Sequence, residues 1–377
     1  MKGRAWVFAA ICAAALWPAV PAGAELRVDG HGNGHGIGMS QYGAYGYALK
    51  TRHTYPYILS HYFPGTKLRK TAARRIRVLL KQGPSLLVAE ATRLSSPGRA
   101  AIALRPERTY RFEPAGAGLR VVDTTTGTTK ARVTSPATVS GKSTVRLRGR
   151  AENGVMSGRY RGSLVLAATA GGVSAVNRLD LEQYLDAVVP SEMPAAWPLE
   201  ALKAQALAAR AYAIRSLSPA APFDVYADTR SQMYRGVTAE ASRSTSAVHA
   251  TRAYALFYGS GVAATYFSSS SGGRTAAIDE EWGGPAVPYL RSVSDPYDHV
   301  SPWHDWTVTM TTSEAASRLG PLLLGDLQGI AVTARNSSGR AATVQIRGSA
   351  GVVDATGVQV RTALRLRSTW FSFRLTP

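Results

Sequence analysis

The strongest periodic pattern of the chain lies between Asn177 and Arg215, where apolar positions recur at helical spacing. Leu181, Leu185 and Val188 follow one another at i, i+4 and i+7, which is the stripe that a helix packs onto a core. The Ala-rich run further along this stretch has the highest helix propensity in the sequence. The pattern therefore predicts two consecutive helices.

Two prolines bound the junction between these helices. Pro190 lacks a backbone donor and clashes with the preceding turn, so we expect the first helix to end there. Pro198 suits the first position of the second helix, with Glu200 in its opening turn. The elbow between the helices is then formed by residues 191–194, which read Ser-Glu-Met-Pro.

Glu192 is the one ionisable group of this elbow, and Met193 and Trp197 flank it. Partial shielding from water disfavours a charged carboxylate, so we expect a raised pKa, as a general acid needs. A loop or cap carboxylate is the alternative interpretation. Lys203 and Arg210 are seven residues apart on one helix face, where they could stabilise an anion or hold a sugar or polyanionic substrate. A solvated basic face would explain the same spacing.

Between residues 72 and 175 the pattern changes to short runs such as RIRVLL, TYRFE and STVRLRG, separated by Gly, Pro, Ser and Thr clusters. A spacing of about ten residues is typical of antiparallel β structure. The region shows no catalytic constellation. We expect a β-rich subdomain that is either purely structural or uses its basic strand faces to contact an anionic polymer.

Near the N-terminus a glycine occupies every second position over residues 30–38. Such a ribbon permits close backbone approach to a ligand or another strand, and its spacing and context do not match a dinucleotide fingerprint. Ser40 is expected to cap a helix that runs to about Lys50. His31 and His35 have no third defined ligand, so the pair alone does not predict a zinc site.

The second half of the chain holds a predicted hairpin and a serine tract. Residues 248–257 are largely apolar and precede a Gly-Ser-Gly turn, which predicts a β-hairpin. The tract at residues 268–273, SSSSGG, has the composition of a short flexible linker. Four later aromatic residues could stack on sugar rings, although such side chains more often anchor cores and loops, so we assign at most two to a substrate. They are Trp282, Tyr289, Trp303 and Trp306.

The first 24 residues have the pattern of a secretory signal peptide. Lys2 and Arg4 precede an apolar run that ends in Ala-Gly-Ala at residues 22–24. We expect export of the chain, with retention of this segment as an uncleaved anchor as the alternative. The single cysteine, Cys12, falls inside the segment, so the remaining sequence offers neither a disulfide nor a thiolate metal site.

The net charge is +20, and subtracting Lys2 and Arg4 leaves +18 for the expected exported chain. For an intracellular protein this charge would suggest nucleic acid, but export redirects it toward anionic wall polymers such as teichoic acids or peptidoglycan carboxylates. The excess of Arg over Lys also fits a GC-rich coding sequence. We therefore expect no nucleic-acid partner and no stable membrane insertion after signal cleavage.

The stretch YLDAVVPSEMPAAWPLEALKAQALAARAYAIR, residues 184–215, resembles the core motif of the SpoIID/LytB family of stage II sporulation protein D and amidase enhancers. The length and order of the match make it specific. The resemblance implies that Glu192 is the catalytic residue of a lytic transglycosylase. It also implies that Lys203 and Arg210 are site residues.

Three further elements are similar to the family: GHGIGMSQYGA near the start, QMYRG at residues 232–236, and the SSGG of the serine tract. The resemblance implies that they line the cleft of the catalytic residue. Some members bind zinc through Cys and His near the SSGG loop, but this chain has no Cys there, so we expect neither a metal nor a cofactor. The substrate-binding residues expected on these grounds are Lys203, Arg210, Gln205, His35, Ser40, Gln41, Tyr42, Tyr234 and Ser270.

The order of these elements departs from the family, in which the glycine motif often closes the domain. Here it comes first, and the C-terminal GVQVRTALRLRSTWFSFRL resembles the element that usually precedes it, which implies a circular permutation. We therefore expect Pro377 near Val28 and the His35 to Tyr42 loop beside Glu192.

The fold class expected is α+β, a mixed SpoIID-like catalytic core with an inserted β-rich subdomain. The division that we expect is a signal peptide at 1–24, the glycine motif and its helix at 25–71, the β-rich subdomain at 72–175, and the rest of the catalytic core at 176–377.

The expected function is a secreted or wall-associated lytic transglycosylase that acts on peptidoglycan glycan strands. A hydrolase needs two carboxylates, whereas one Glu that alternates between acid and base suffices to close a 1,6-anhydro ring. Glu192 has no partner carboxylate near it in the sequence. The alternative function is a non-enzymatic wall-binding protein that stimulates an autolysin such as an amidase. Expected partners are glycan strands, anionic wall polymers and other wall hydrolases.

Overall fold

The computed structural model describes residues 24–376, so Cys12, nearly all of the expected signal peptide and Pro377 lie outside it. No helix within this range is long and apolar enough to cross a membrane. The helices are α1 Gln41–Lys50, α2 Tyr55–Tyr62, α3 Leu181–Glu192, α4 Leu199–Arg215, α5 Ser242–Ala250, α6 Ile278–Trp282, α7 Thr312–Leu319 and α8 Gly357–Leu364.

Strands are the more abundant element. The first thirteen are β1 Glu25–His31, β2 Met39–Ser40, β3 Lys67–Lys70, β4 Arg75–Gly83, β5 Leu86–Ala89, β6 Arg93–Ser95, β7 Ile102–Ala103, β8 Thr109–Ala115, β9 Gly118–Asp123, β10 Thr129–Thr134, β11 Ala137–Leu147, β12 Arg159–Thr169 and β13 Gly172–Asp180. The others are β14 Val225–Tyr226, β15 Tyr254–Tyr258, β16 Gly261–Val262, β17 Phe267–Ser268, β18 Asp305–Thr311, β19 Leu327–Arg335, β20 Ala341–Gly348, β21 Gly351–Thr356 and β22 Phe371–Thr376. The predicted α+β class is confirmed.

The described chain forms two compact units, one of residues 32–304 and one that joins residues 24–31 to residues 305–376. The sequence did not predict these boundaries. The proposed borders at 71/72 and 175/176 fall inside the larger unit and stay a prediction.

The larger unit is built on a sheet of eleven strands, in which β10, β9, β8, β5, β11, β12, β13 and β4 follow one another. Their pairings are antiparallel, and β14 adds a parallel edge to β4. The antiparallel β structure predicted for residues 72–175 is therefore confirmed. Alternate residues of these strands are buried in one core with the helices of the unit.

Helix α4 lies at the centre of the helical part and contacts α1, α2, α3, α5 and β15. Its alanines explain this position, because small side chains let neighbouring helices approach closely while the chain keeps a high helix propensity. Seven of them are buried: Ala201, Ala204, Ala206, Ala208, Ala209, Ala211 and Ala213.

The first predicted helix does not end at Pro190, so that expectation is wrong. Helix α3 runs two residues further, to Glu192. A proline removes only its own donor, and the turn continues because the Ser191 hydroxyl donates to the Ala187 carbonyl at 2.7 Å and the Met193 N–H donates to the Val189 carbonyl at 2.9 Å. Glu192 therefore lies on the last turn of a packed helix and not in a free elbow.

The predicted hairpin exists but is shorter than expected. β15 and β16 pair antiparallel across the Gly-Ser-Gly turn. Val248 belongs instead to the end of α5, because Ser244, Ala247 and Val248 are buried at i, i+3 and i+4, the spacing of a helix.

The smaller unit contains a three-stranded sheet in the order β18-β1-β22 and a second sheet β19-β20-β21, with α7 and α8 packed on a core of their own. The C-terminal strand β22 pairs with β1 so that Thr376 faces Glu25 and Phe373 faces Val28. The described chain thus ends beside the strand that contains Val28, as we expected from the order of the motifs. The circular permutation itself stays a prediction.

Candidate functional site

Glu192 is half-buried at the end of α3, with Met193 buried next to it. Its Oε1 accepts a hydrogen bond from the backbone N–H of Met233 at 2.7 Å. The Gln41 side chain also faces this carboxyl group, although its Nε2 makes no hydrogen bond of normal geometry to any described residue. Gln41, the first residue of α1 and part of the predicted His35 to Tyr42 segment, therefore lies beside Glu192.

Burial raises the pKa of the Glu192 carboxyl group above its ordinary value. The Met233 N–H, the Gln41 amide and the positive charge of Arg235 act in the opposite direction, because each stabilises the carboxylate. Burial thus favours the protonated form of Glu192, while nearby donors stabilise its carboxylate once the proton is lost. This is the balance that a group alternating between acid and base requires.

The QMYRG segment places the Met233 N–H through the buried side chains on either side of it. The Tyr184 hydroxyl donates to Oε1 of Gln232 at 3.1 Å. The Tyr234 hydroxyl donates to Oδ1 of Asn177 at 2.7 Å, and its ring lies 5.1 Å from that of Tyr184. Tyr234 is only 1% exposed, so the prediction that it binds substrate is wrong. It positions the segment instead.

One flank of the site is a chain of aromatic rings that starts at Tyr212. Burial is the main cause of a raised pKa of the Tyr212 hydroxyl, and the charges of Tyr266 and then Glu192 add to it, so Tyr212 lies near Glu192. Ring centroids are 6.1 Å apart for Tyr212 and Tyr266, 4.9 Å for Tyr266 and Trp282, and 5.0 Å for Trp282 and His35. Trp282 is exposed. We call this set the aromatic flank.

The aromatic flank borders an open cavity of about 250 Å³, which Glu192 does not line. Its lining residues are Tyr212, Arg215, Ser216, Ala264 and Tyr266.

A second group of aromatic rings comes from two segments next to Glu192, one that follows Gln41 and one that follows Met193. Tyr42, which follows Gln41, and Tyr45 contact the ring of Trp197, with centroids 4.9 Å and 4.7 Å apart. All three side chains are half-buried. Of the four late aromatic residues, Tyr289 is buried against Tyr258 and Trp306 packs onto Gly30 in the smaller unit. The sequence therefore undervalued Trp197 as a ring surface, whereas Tyr42 was among the expected substrate-binding residues.

The glycine ribbon lies against the serine tract and Tyr266, so the close approach that its glycines permit is to another segment of the protein. Gly34 and Gly38 have positive φ, and a Cβ on them would stand 2.6 Å from Cβ of Ser268 and 2.2 Å from the carbonyl of Tyr266. The Ile37 N–H donates to Nδ1 of His35 at 3.0 Å, which fixes that ring within the ribbon. The serine tract is thus a packed element, and its interpretation as a flexible linker is wrong.

Asp298 holds both segments in place and accounts for two predicted substrate ligands. The hydroxyls of Ser40 and Ser270 each donate to its carboxylate at 2.7 Å, and the N–H groups of Ser271 and Gly272 add further bonds. Ser40 also caps α1 by accepting the Gly43 N–H, as predicted. Both hydroxyls are buried. Ser40 and Ser270 are therefore structural, and their assignment to substrate binding is wrong.

Asp295 gives this network a dependence on pH. Its carboxyl group accepts hydrogen bonds from Tyr62 and from Ser271, both at 2.7 Å. Burial, reinforced by the charge of Asp298, raises the pKa of Asp295 from 3.8 to about 7. The folded state thus holds this proton more tightly than the unfolded chain does.

We expect the free energy of unfolding to fall by roughly 4 kcal/mol as the pH rises from about 4 through about 7, because Asp295 must then be ionised inside the protein. Asp295→Asn mimics the neutral acid and should remove most of this slope, while Asp326→Asn at an exposed carboxylate should not. Urea unfolding between pH 4 and 8 measures both. Equal slopes in the wild type and Asp295→Asn would contradict the assignment.

Arg210 is not a free basic group. Its side chain is fully buried and makes a bidentate ion pair with Glu182, at 2.9 and 2.7 Å. The remaining donors bond to the Val248 and Tyr254 carbonyls and the Thr251 hydroxyl. The guanidinium therefore joins α3, α4, α5 and β15, and the prediction that Arg210 binds substrate is wrong.

Lys203 and Gln205 also differ from the expectation. Nζ of Lys203 pairs with Glu200 at 2.7 Å and lies 5.7 Å from the ring of Tyr55, so it connects α4 to α2. Gln205 is fully buried, and neither amide atom has a hydrogen-bond partner among the described residues. Nothing in the structure explains this unpaired amide. The cation that does act on Glu192 is Arg235.

Two contributors to the site were missed from the sequence. Arg235 occupies the variable position of the QxYxG element, so its place in a motif implied to line the cleft was an available signal. The Met233 N–H carries no such signal, because a backbone donor has no side-chain identity. As for a metal, residues 24–376 contain no group of three or more His, Cys, Asp or Glu side chains arranged to hold one.

Comparison with known proteins finds a family match for the segment that contains Glu192. Residues 169–258 match the family model described as "SpoIID: Stage II sporulation protein". Stage II sporulation protein D of Bacillus subtilis is 33% identical over 217 residues, which cover 53% of this chain and 62% of that protein. An uncharacterized protein of Brachyspira hyodysenteriae is 35% identical over 213 residues, 55% of this chain and 56% of its own.

A relative named amidase enhancer, also from Bacillus subtilis, is 39% identical over 131 residues, which are 34% of this chain and 17% of that protein. The chain thus spans less than two thirds of the length of these relatives. The matched segment contains Glu192 and the QMYRG element, whereas the glycine ribbon and the serine tract lie outside it.

Proposed function

We propose that the chain is a secreted peptidoglycan lytic transglycosylase with Glu192 as its general acid and base, since the segment around Glu192 matches the SpoIID family model. The observation that carries this proposal is the state of Glu192, a half-buried carboxyl group with a raised pKa that accepts the Met233 N–H between aromatic surfaces. Export rests on the pattern of the first 24 residues.

The proposed reaction begins with protonated Glu192 donating its proton to the glycosidic oxygen between MurNAc and GlcNAc. The bond from C1 of MurNAc to that oxygen breaks, and positive charge develops at C1. The C6 hydroxyl of the same sugar then attacks C1, and the Glu192 carboxylate takes the hydroxyl proton. A 1,6-anhydro ring forms, GlcNAc leaves with a free hydroxyl, and Glu192 is again protonated.

The surroundings of Glu192 support ring closure over hydrolysis. The groups that shift its pKa are the apolar surroundings, the Met233 N–H, Gln41 and Arg235, and these include no carboxylate. A hydrolase would place a second carboxylate about 5 to 9.5 Å away to attack C1 or activate water. The Met233 N–H stabilises the ionised form of Glu192 midway through the cycle, when it must act as a base.

The aromatic surfaces are the proposed sugar contacts. Exposed Trp282 in the aromatic flank and half-buried Trp197 with Tyr42 offer ring faces on which sugars can stack. The Gln41 amide nitrogen is buried and faces the Glu192 carboxyl group, so it positions that group and does not reach a sugar. His35 and Tyr42 thus stay proposed substrate ligands, whereas the prediction that Gln41 binds substrate is wrong.

The match to an amidase enhancer favours a second candidate, a wall-binding protein that stimulates another hydrolase without chemistry of its own. Purified chain incubated with isolated cell walls separates the two. We expect the chain alone to release soluble glycan fragments. Release that requires an added amidase, with none from the chain alone, would support the enhancer and contradict the enzyme.

A further inference from the structure

The segment that forms most of the large sheet is strongly basic. Residues 72–175 contain 18 Lys and Arg against 5 Asp and Glu, a net charge of +13 out of the +20 of the whole sequence. Fifteen of the 18 are Arg. Arg presents a rigid fork of donors that matches phosphate oxygens in pairs, which Lys does not. This segment therefore carries much of the protein's positive charge, and most of it is on guanidinium groups, which bind phosphate well.

Strand register sets some of these residues in a straight line. Leu94, Val139, Leu164, Asn177 and Val78 are buried neighbours across five adjacent strands. The next residue of each strand lies on the opposite, exposed side and forms a matching line. This line, here called the arginine–serine row, consists of Arg93, Ser140, Ser163, Arg178 and Arg77.

The arginine–serine row spans four strand gaps, about 19 Å, so it is long enough for several repeats of a linear polymer. Arg77 is held by Asp224 at 2.6 Å. Arg93 and Arg178 are exposed and have no ion pair among the residues that the structure describes. The serine hydroxyls between them add neutral donors, which commonly bond phosphate oxygens.

Arginine outnumbers acid around Glu90, whereas Arg161 is paired with Glu240 at 2.6 Å. Glu90 is paired with Arg146 at 2.9 Å and with Arg159 at 2.7 Å, and Arg148 adds a further positive charge beside it. These three guanidiniums lower the pKa of the Glu90 carboxyl group and leave a local net charge of +2. The register places Arg146 opposite Arg159, on the same exposed side of the sheet as Thr144 and Arg161.

We propose that the arginine–serine row and the arginines around Glu90 bind a linear phosphodiester polymer of the cell wall, a teichoic-acid type of chain, and so hold the protein on its substrate. The choice of a wall polymer over nucleic acid rests on the export in the proposed function. The site is separate from Glu192, so binding does not depend on catalysis.

Sedimentation of the full chain with purified wall that carries teichoic acid tests this proposal. We expect binding to fall about tenfold when hydrofluoric acid has removed the phosphodiester polymer from the wall. Arg93→Gln/Arg178→Gln should weaken binding to untreated wall about tenfold and leave the weak binding to treated wall unchanged. The matched control Arg52→Gln/Arg291→Gln, at exposed arginines outside the sheet, should stay within about twofold of wild type.

Equal binding of treated and untreated wall, or a row variant that binds like the control, would overturn the proposal. Tighter binding to duplex DNA than to untreated wall would also overturn it. Two readouts keep it distinct from the proposed function: Glu192→Gln should bind untreated wall normally, and the row variant should cleave short soluble glycans at the wild-type rate. Normal binding without any cleavage by wild type would contradict only the enzyme.

Discussion

Glu192→Gln is expected to lower the rate of glycan cleavage by about 10³-fold or more, because one group supplies both the proton for the leaving oxygen and the base for ring closure. The amide cannot donate an acidic proton or become a carboxylate. It can still accept the Met233 N–H, so the local structure should persist. Initial rates on purified glycan strands measure the effect.

The control for Glu192→Gln is Glu107→Gln, the same substitution at an exposed carboxylate of the same unit, which should retain the wild-type rate. Thermal unfolding should show Glu192→Gln to be as stable as wild type, or slightly more stable at neutral pH, since burial of an ionised carboxylate costs free energy. Cleavage at the wild-type rate by Glu192→Gln would move catalysis to another residue.

Arg210→Met is expected to lower the free energy of unfolding by about 3 to 5 kcal/mol. The substitution leaves the Glu182 carboxylate and the Val248 and Tyr254 carbonyls without their donors in a mostly buried place. Urea denaturation of purified variants measures the loss. Because three helices and a strand meet at this side chain, the effect should far exceed that of a surface charge.

Two further variants distinguish a role of Arg210 in stability from a role in substrate binding. Arg210→Met/Glu182→Gln removes the unpaired charge and should recover part of the stability. Arg215→Met, at an exposed position of the same helix, should change the free energy of unfolding by about 0.5 kcal/mol or less. An Arg210→Met protein that is fully stable but binds glycan poorly would instead support the substrate-binding role that the sequence suggested for Arg210.

The sequence predicted elements with local signals. The Leu181, Leu185 and Val188 stripe, the Ser40 cap and the alternation in the strands each depend on neighbours within a few residues, and each is present. Pro190 misled the prediction because a proline near the end of a helix removes one hydrogen bond while the surrounding bonds continue the turn.

Roles that depend on distant partners could not be predicted. Arg210 and Lys203 have the same spacing on a helix whether they face solvent or carboxylates, and only packing of α3 against α4 brings Glu182 to Arg210. Ser40 and Ser270 are 230 positions apart in a motif-rich sequence, yet both meet Asp298, which no motif marked. The resemblance identified the segments that surround Glu192 but could not separate side chains that face a substrate from those that position the backbone.

Mass spectrometry of the new chain ends tests the central claim most directly. Glycan strands freed of stem peptides are digested with the wild-type protein and, in parallel, with Glu192→Gln. The account predicts 1,6-anhydro-MurNAc ends, lighter by one water than reducing ends, from the wild type and none from the variant. Hydrated reducing ends from the wild type would contradict it, because water and not the C6 hydroxyl would then have attacked C1.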